Sequence, residues 1–194
     1  TSDWTCIHIL GGHKGPVNSI AIHPSGKLAL STSRDRTLRM WNLVKGRCAY
    51  IKKLPQEASQ VVWSSDGMKY ALACGRAVSV YEATTNEVTT TLHHKARVNA
   101  VVFLPGGLNG AGAIATGGED KTVRCWNCEN GSLNCELNTG FTARVRSLAV
   151  TAEKDNAGEL TPYLVVASGN GMVQVWDSVG ALSGDEAARN KPLW

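Results

Sequence analysis

Three side chains near the start of the chain have the types from which a hydrolytic triad is built: His13, Ser31 and Asp35. An imidazole between a hydroxyl and a carboxylate can draw a proton from the hydroxyl and turn it into a nucleophile. The surrounding sequence argues against that chemistry. No strained Gly-x-Ser-x-Gly turn presents the serine, and no pair of backbone amides is evident to hold an oxyanion. A similar set, His94, Thr116 and Asp120, returns further along, and each set is followed by a tryptophan, Trp41 and Trp126. Recurrence beside an indole points to architecture. A buried indole N–H needs an acceptor, a hydroxyl accepts it and donates onward, and an imidazole links that hydroxyl to a carboxylate, so that no buried polar group is left unpaired. On this reading neither set is catalytic.

Cysteine offers the other candidate chemistry. Cys125 and Cys128 have the C-x-x-C spacing of a metal or redox pair, with Cys135 as a third thiol, but no fourth ligand stands at a suitable distance in sequence. No metal site and no cofactor is expected. The six cysteines (Cys6, Cys48, Cys74, Cys125, Cys128, Cys135) lie mostly in apolar or alternating runs, which suits reduced, buried thiols better than a disulfide framework. Gly110-Ala-Gly112 is followed by no helix and reads as a flexible loop, and Asn130-Gly131-Ser132 is a glycosylation sequon in a chain with no secretory signal in view. Nothing approaches the roughly 18 apolar residues of a spanning helix, and no membrane or small-molecule partner is expected.

The elements that carry these residues recur four times in 194 residues. The first repeat reads VNSIAIHPSG, KLALSTSRD, TLRMWNL and GRCAYIKKL, four β-rich runs divided by turn residues. The second runs through SQVVWSSDG, KYALACGR, AVSVYEA and EVTTTL, and the third through VNAVVFLPGG, GAIATGGED, TVRCWNCENG and SLNCEL. The fourth supplies VRSLAVTAE, YLVVASGNG and MVQVWDS, after which no fourth strand is convincing. The aromatic closing each third run is Trp41, Tyr81, Trp126 and Trp176, spaced by 40, 45 and 50 residues. Insertions between the first two strands, at 106–112 and from Glu153 to Pro162, account for the growth. The class is all-β.

A period of roughly 40 to 45 residues is that of a four-stranded propeller blade. The sets His13, Ser31, Asp35, Trp41 and His94, Thr116, Asp120, Trp126 resemble the structural tetrads of the WD-repeat family, and Trp176-Asp177 is the dipeptide itself. The resemblance implies a β-propeller segment over 1–177, with blades at about 13–54, 55–92, 93–137 and 138–177, and a tail at 178–194. Four blades fall short of a seven-bladed ring, and 5–10 is expected as a strand of a preceding blade. Exposed strand edges at the two ends of such an arc favour association unless covered. Repeats two and four depart from the pattern: Gly75 and Asn170 stand in the Asp position, Tyr81 replaces a Trp, and neither has the His. Their corners are expected to be less rigid, repeat two above all.

In such a blade the turn with the His and the turn with the Asp lie at the same end of the strands. That end gathers Lys14, Arg34, Arg36, Arg76, Lys95, Arg97, Lys121 and Arg144 against Asp35, Glu57, Glu119 and Asp120. With a formal charge of +4 overall, a net basic face suits phosphates or an acidic protein surface; a solvated surface of mixed charge is the competing reading. Phe141 is the one aromatic expected there to stack on a base. The string from Gly12 to Leu54, with VVWSSDGMKYALA after it, resembles the WD-repeat proteins that interact with PAK-type kinases and their fungal maintenance-of-killer relatives; HPSGKLALS and LRMWNLVKGR are its most specific parts. The resemblance implies a nuclear, nucleolar, non-catalytic scaffold in large ribosomal subunit assembly, with protein and rRNA partners in pre-ribosomal particles, or alternatively a scaffold that binds and restrains a PAK-type kinase. The Lys-rich tail of that family has no counterpart at 178–194.

Overall fold

The structure is a computed structural model that describes residues 4–105, 112–154 and 160–177. Its described residues hold fifteen strands and no helix. β1 (Val17–Ile22), β2 (Leu28–Ser33), β3 (Thr37–Asn42) and β4 (Arg47–Lys53) form the first antiparallel sheet. β5 (Ala58–Trp63), β6 (Lys69–Cys74), β7 (Ala77–Glu82) and β8 (Val88–His93) form the second. β9 (Val98–Leu104), β10 (Ala113–Gly118), β11 (Val123–Asn127) and β12 (Leu133–Leu137) form the third. β13 (Val145–Lys154), β14 (Leu160–Ser168) and β15 (Val173–Asp177) form a three-stranded fourth.

Each sheet is a meander in sequence order, because short turns permit only nearest-neighbour antiparallel pairing. The apolar side chains of facing sheets then make three separate cores. Leu30 and Leu38 meet Ala58, Val61, Tyr70 and Leu72 between the first and second sheets. Val78 and Val80 meet Val101, Ile114 and Trp126 between the second and third, and Val123 and Cys125 meet Leu148, Leu164 and Trp176 between the third and fourth. The second strand of each of the first three sheets is the most deeply buried, covered on both faces, which explains why LALSTS and AIATGG carry only small or apolar residues.

One device that single-strand patterns do not reveal aligns the sheets. Every inner strand (β1, β5, β9, β13) carries a register shift beside its second residue: Asn18, Ser59, Asn99 and Arg146. A bulge leaves one residue out of the ladder and turns its side chain elsewhere. Here it turns toward the next sheet. Asn18 Nδ2 donates to the Ala58 carbonyl (2.9 Å), Ser59 Oγ to that of Val98 (2.9 Å) and Asn99 Nδ2 to that of Val145 (3.1 Å). The Val61 amide donates to Ser19 Oγ and the Val101 amide to Gln60 Oε1, so neighbouring inner strands are stitched by side chains where no backbone ladder reaches.

Residues 5–10 pair with no strand among the described residues, and Ile7 and Ile9 are exposed. One expectation changes. The stretch from Glu153 to Pro162 is not all loop, because β13 and β14 stay paired out to Lys154 opposite Leu160. Residues 106–111, 155–159 and the tail 178–194 lie outside the described residues.

Candidate partner-binding face

In the first sheet the four landmark side chains form a continuous chain of hydrogen bonds. The Trp41 indole N–H donates to Ser31 Oγ at 2.8 Å, Ser31 Oγ lies 2.7 Å from His13 Nε2, and His13 Nδ1 lies 3.0 Å from Asp35 Oδ2. The carboxylate also accepts from the Lys14 amide (2.8 Å), the Thr37 amide (2.9 Å) and the Thr37 hydroxyl (2.6 Å). An ionised Asp35 places the imidazole proton on Nδ1 and leaves Nε2 to accept from Ser31. Burial opposes ionisation of Asp35, but the bonds from Thr37, Lys14 and His13 outweigh it and hold its carboxyl well below the usual range. Ser31 is 3% exposed and spends its lone pair on the indole, so it has no path to a substrate.

The third sheet does not repeat this network, although the expectation was a matching one. Trp126 donates to Thr116 Oγ1 at 2.8 Å, but Thr116 donates to the Arg124 carbonyl (3.3 Å), and the buried His94 Nε2 has no hydrogen-bond partner. Arg124 has taken the carboxylate: its Nη1 lies 2.5 Å from Asp120 Oδ2 and its Nε 2.8 Å from Glu136 Oε2. The cause is across the strand pair. Arg124 faces Glu136 in register, whereas Arg39, at the same position of the first sheet, faces Ile51 and lies over the Trp41 ring, 5.9 Å from its centroid. His94 packs edge-on to Trp126, 5.1 Å between centroids. Burial and the nearby Arg124 guanidinium push the imidazole down to about 4.

The other two sheets solve the same problem differently. Tyr81 stacks on Tyr70 at 4.9 Å, with Lys52 Nζ 4.2 Å from its ring centre and the Tyr70 hydroxyl donating to Asn86. In the fourth sheet Gln174 occupies the strand position of Arg39 and Arg124; its Oε1 accepts the Trp176 indole N–H (3.3 Å) and its Nε2 donates to the Thr139 carbonyl. Asn170 donates to Thr142 Oγ1. Cys125 and Cys128 lie in different cores on opposite faces of the third sheet, which separates the C-x-x-C thiols.

Backbone bonds fix which loops share an end. The Arg34 amide donates to Pro16, Glu119 to Arg97 and Gly169 to Arg144, each joining the second turn of a sheet to the segment entering its inner strand. Lys14, Arg34, Arg36, Arg76, Lys95, Arg97, Lys121 and Arg144 therefore gather at one end, and all eight are exposed. Asp35 and Asp120 are turned inward, with side chains only 10% and 17% exposed. Glu57 lies between Arg34 (3.9 Å) and Arg97 (3.2 Å), and Glu119 is 4.0 Å from Arg144. Among the described residues the other five cations have no ion pair. Arg36 (φ 59°) and Lys121 (φ 67°) hold equivalent left-handed turn positions where the fourth sheet uses Gly171 (φ 84°). Phe141 is not exposed on this face: it is 7% exposed and packs in the core between the third and fourth sheets. That core draws on both sheets that the linker joins, so a linker aromatic becomes a core residue.

The chain matches the family model described as WD domain, G-beta repeat over residues 4–42 and 86–127. It is 36% identical over 177 residues to p21-activated protein kinase-interacting protein 1-like from Gallus gallus, covering 91% of this chain and 45% of that protein. The Danio rerio protein of the same name is 36% identical over 176 residues, covering 91% of this chain and 45% of its own length. The chain thus spans about half the length of these curated relatives. A solved structure of U3-55K superposes with a TM-score of 0.72 at 22% identity, covering 86% of this chain and 50% of that one. The repeats, the sheet order and these matches agree, and the chain is a WD40-repeat protein related to the p21-activated protein kinase-interacting proteins.

Proposed function

We propose that this chain is part of a non-catalytic scaffold that serves large ribosomal subunit assembly in the nucleus and nucleolus, docking on pre-ribosomal protein and rRNA through its basic face. The observation that carries the reading is the set of eight exposed cations at one end of the strands, against which Glu57, Glu119 and, beside Lys121, Glu136 present acid outward. Clustered Lys and Arg gain affinity for a phosphate backbone by releasing its counterions, so binding must weaken steeply with salt. With Phe141 buried, base stacking has no exposed aromatic platform on this face among the described residues, and backbone contacts carry the recognition. Charge reversal at Arg34, Arg36 and Arg97 is expected to abolish particle association at moderate salt. Association unchanged at every salt concentration would place the partner elsewhere.

A second reading comes from the relatives, whose name records an interaction with p21-activated protein kinase. On that reading the same face receives an acidic segment of a PAK-type kinase and restrains it. Purified kinase without RNA separates the two, because only the kinase reading requires direct capture.

A further inference from the structure

The third sheet holds two buried polar atoms without partners, His94 Nε2 and Thr122 Oγ1. In the first sheet their counterparts are both satisfied: His13 Nε2 by Ser31, and Thr37 Oγ1 by Asp35. The difference is the placement of one arginine. Arg124 sits on Asp120 and Glu136, while Arg39 lies away from Asp35. One molecule thus displays two arrangements of the same corner, and the third sheet has the residues for either. A cavity of about 410 Å³ opens beside Arg124's two carboxylates; Asp120, Lys121, Thr122 and Glu136 line its polar side, and Leu137 and Phe141 are part of its floor. Lys121, exposed and without an ion pair among the described residues, stands at its rim.

We propose that Arg124 is a concealed phosphate-binding residue of the basic face, which leaves Asp120 and Glu136 for a phosphate of bound RNA held also by Lys121, while His94 and Thr122 close on Asp120. The inference rests on the reading of the basic face as an RNA-docking surface. The planar guanidinium forks onto a phosphate as it does onto a carboxylate, so the exchange preserves its bonding geometry. Closure gives His94 Nε2 a donor in the Thr116 hydroxyl and lets the Thr122 hydroxyl, already beside Asp120, donate to its carboxylate in good geometry. It also couples binding to a proton. The charged groups acting on His94 are Arg124, Asp120 and His93. With Arg124 withdrawn and Asp120 in contact, the imidazole is protonated more readily in the bound state than in the free one. RNA affinity therefore rises as pH falls through the range above about 4, where the free protein resists the proton.

The test is fluorescence anisotropy with a labelled oligouridylate on the full chain, across salt and from neutral to mildly acid pH. Arg124→Gln is the first variant, because Gln174 occupies this strand position in the fourth sheet and hydrogen-bonds the adjacent indole. It is expected to bind about three- to tenfold more weakly, to lower the salt slope by about 0.7 for the one phosphate lost, and to lose the pH dependence. Glu136→Ile, which copies Ile51, is expected to free Arg124 and tighten binding about threefold at neutral pH. The His94 imidazole resonance is expected to titrate at higher pH with RNA bound. If Arg36→Glu and Lys121→Glu weaken binding while Arg124→Gln leaves slope and pH profile unchanged, the role of Arg124 is overturned and the basic face stands. If none of these variants alters binding, the face itself is the wrong surface.

Discussion

The corners of the first and third sheets use a histidine, a hydroxyl, an aspartate, a threonine and an arginine at equivalent positions, and they differ in which partner the aspartate takes. Asp35 collects donors from His13, Thr37 and the Lys14 amide, whereas Asp120 is held by Arg124 with a weak 3.4 Å bond from the Thr122 amide. One cross-strand residue separates them: Ile51 offers Arg39 nothing polar, and Glu136 fastens Arg124 in reach of Asp120. A tetrad of matching residue types is therefore not yet a tetrad of bonds. The strand next door decides whether a buried carboxylate organises a turn or neutralises an arginine.

The largest expected effect tests that contrast directly. Asp35→Ala strips acceptors from His13, Thr37 and the Lys14 amide at once, and its cost should be about 3–5 kcal/mol in urea unfolding, the range for breaking a buried charged network. Asp120→Ala leaves Arg124 still paired with the half-exposed Glu136 and should cost about 1–2 kcal/mol. Equal costs would mean that the bonding difference between the corners has no energetic weight.

The next effect is one of coupling. Ser31→Ala removes the acceptor of Trp41 and the donor to His13, about 2–3 kcal/mol, while Thr116→Val removes only the acceptor of Trp126, about 1–2 kcal/mol. In double-mutant cycles Ser31 and Asp35 should couple by about 1 kcal/mol or more through His13, and Thr116 and Asp120 should add within about 0.5 kcal/mol. Coupling of the same size in both sheets would show that His94 bridges in solution.

Much of this was legible beforehand. TLRMWN alternates as a half-buried strand must, and the runs around Trp41, Tyr81 and Trp126 reappear as β3, β7 and β11. The first-sheet network could be read because each donor and acceptor has an obvious mate within the repeat. The third could not, since Arg39 and Arg124 look alike in sequence and their cross-strand neighbours emerge only from registers shifted between Met40 and Trp41 and between Cys125 and Trp126. The bulged residues Asn18, Ser59 and Asn99 are illegible for a related reason: a polar residue second in a strand looks solvent-facing until the neighbouring sheet supplies a carbonyl. Tyr81, read as a weak substitution, stacks on Tyr70 under the Lys52 ammonium, a partner contributed by the sheet before.

A pH titration of stability separates the corners by window. His94 is depressed from 6.5 to about 4, so as pH falls below 6.5 the unfolded chain takes up a proton that the folded chain refuses, and stability declines until about 4. Asp35 acts lower: its folded carboxyl lies well below the ordinary carboxylate range, so its contribution is complete above that range and is lost only on further acidification. His94→Gln should flatten the upper phase and leave the lower one, and circular dichroism against pH checks it. A single phase that ignores His94 would show that the imidazole is not buried as described.

The smallest effect concerns what the two corners share. Arg36 and Lys121 hold left-handed backbone at the same turn position, a conformation that costs an L-residue about 1–2 kcal/mol, whereas Gly171 occupies it in the fourth sheet without that penalty. Replacing either by glycine relieves the strain but frees the unfolded backbone, and the balance should be a stabilisation of about 0.5–1 kcal/mol. Because the turn precedes the point where the networks diverge, the gain should agree between Arg36→Gly and Lys121→Gly to within about 0.5 kcal/mol in thermal unfolding. If Lys121→Gly stabilises by clearly less, the shortfall measures attraction lost between Lys121 and the nearby Asp120 and Glu136 carboxylates, a gain without counterpart at Arg36, where Ile51 stands in place of Glu136.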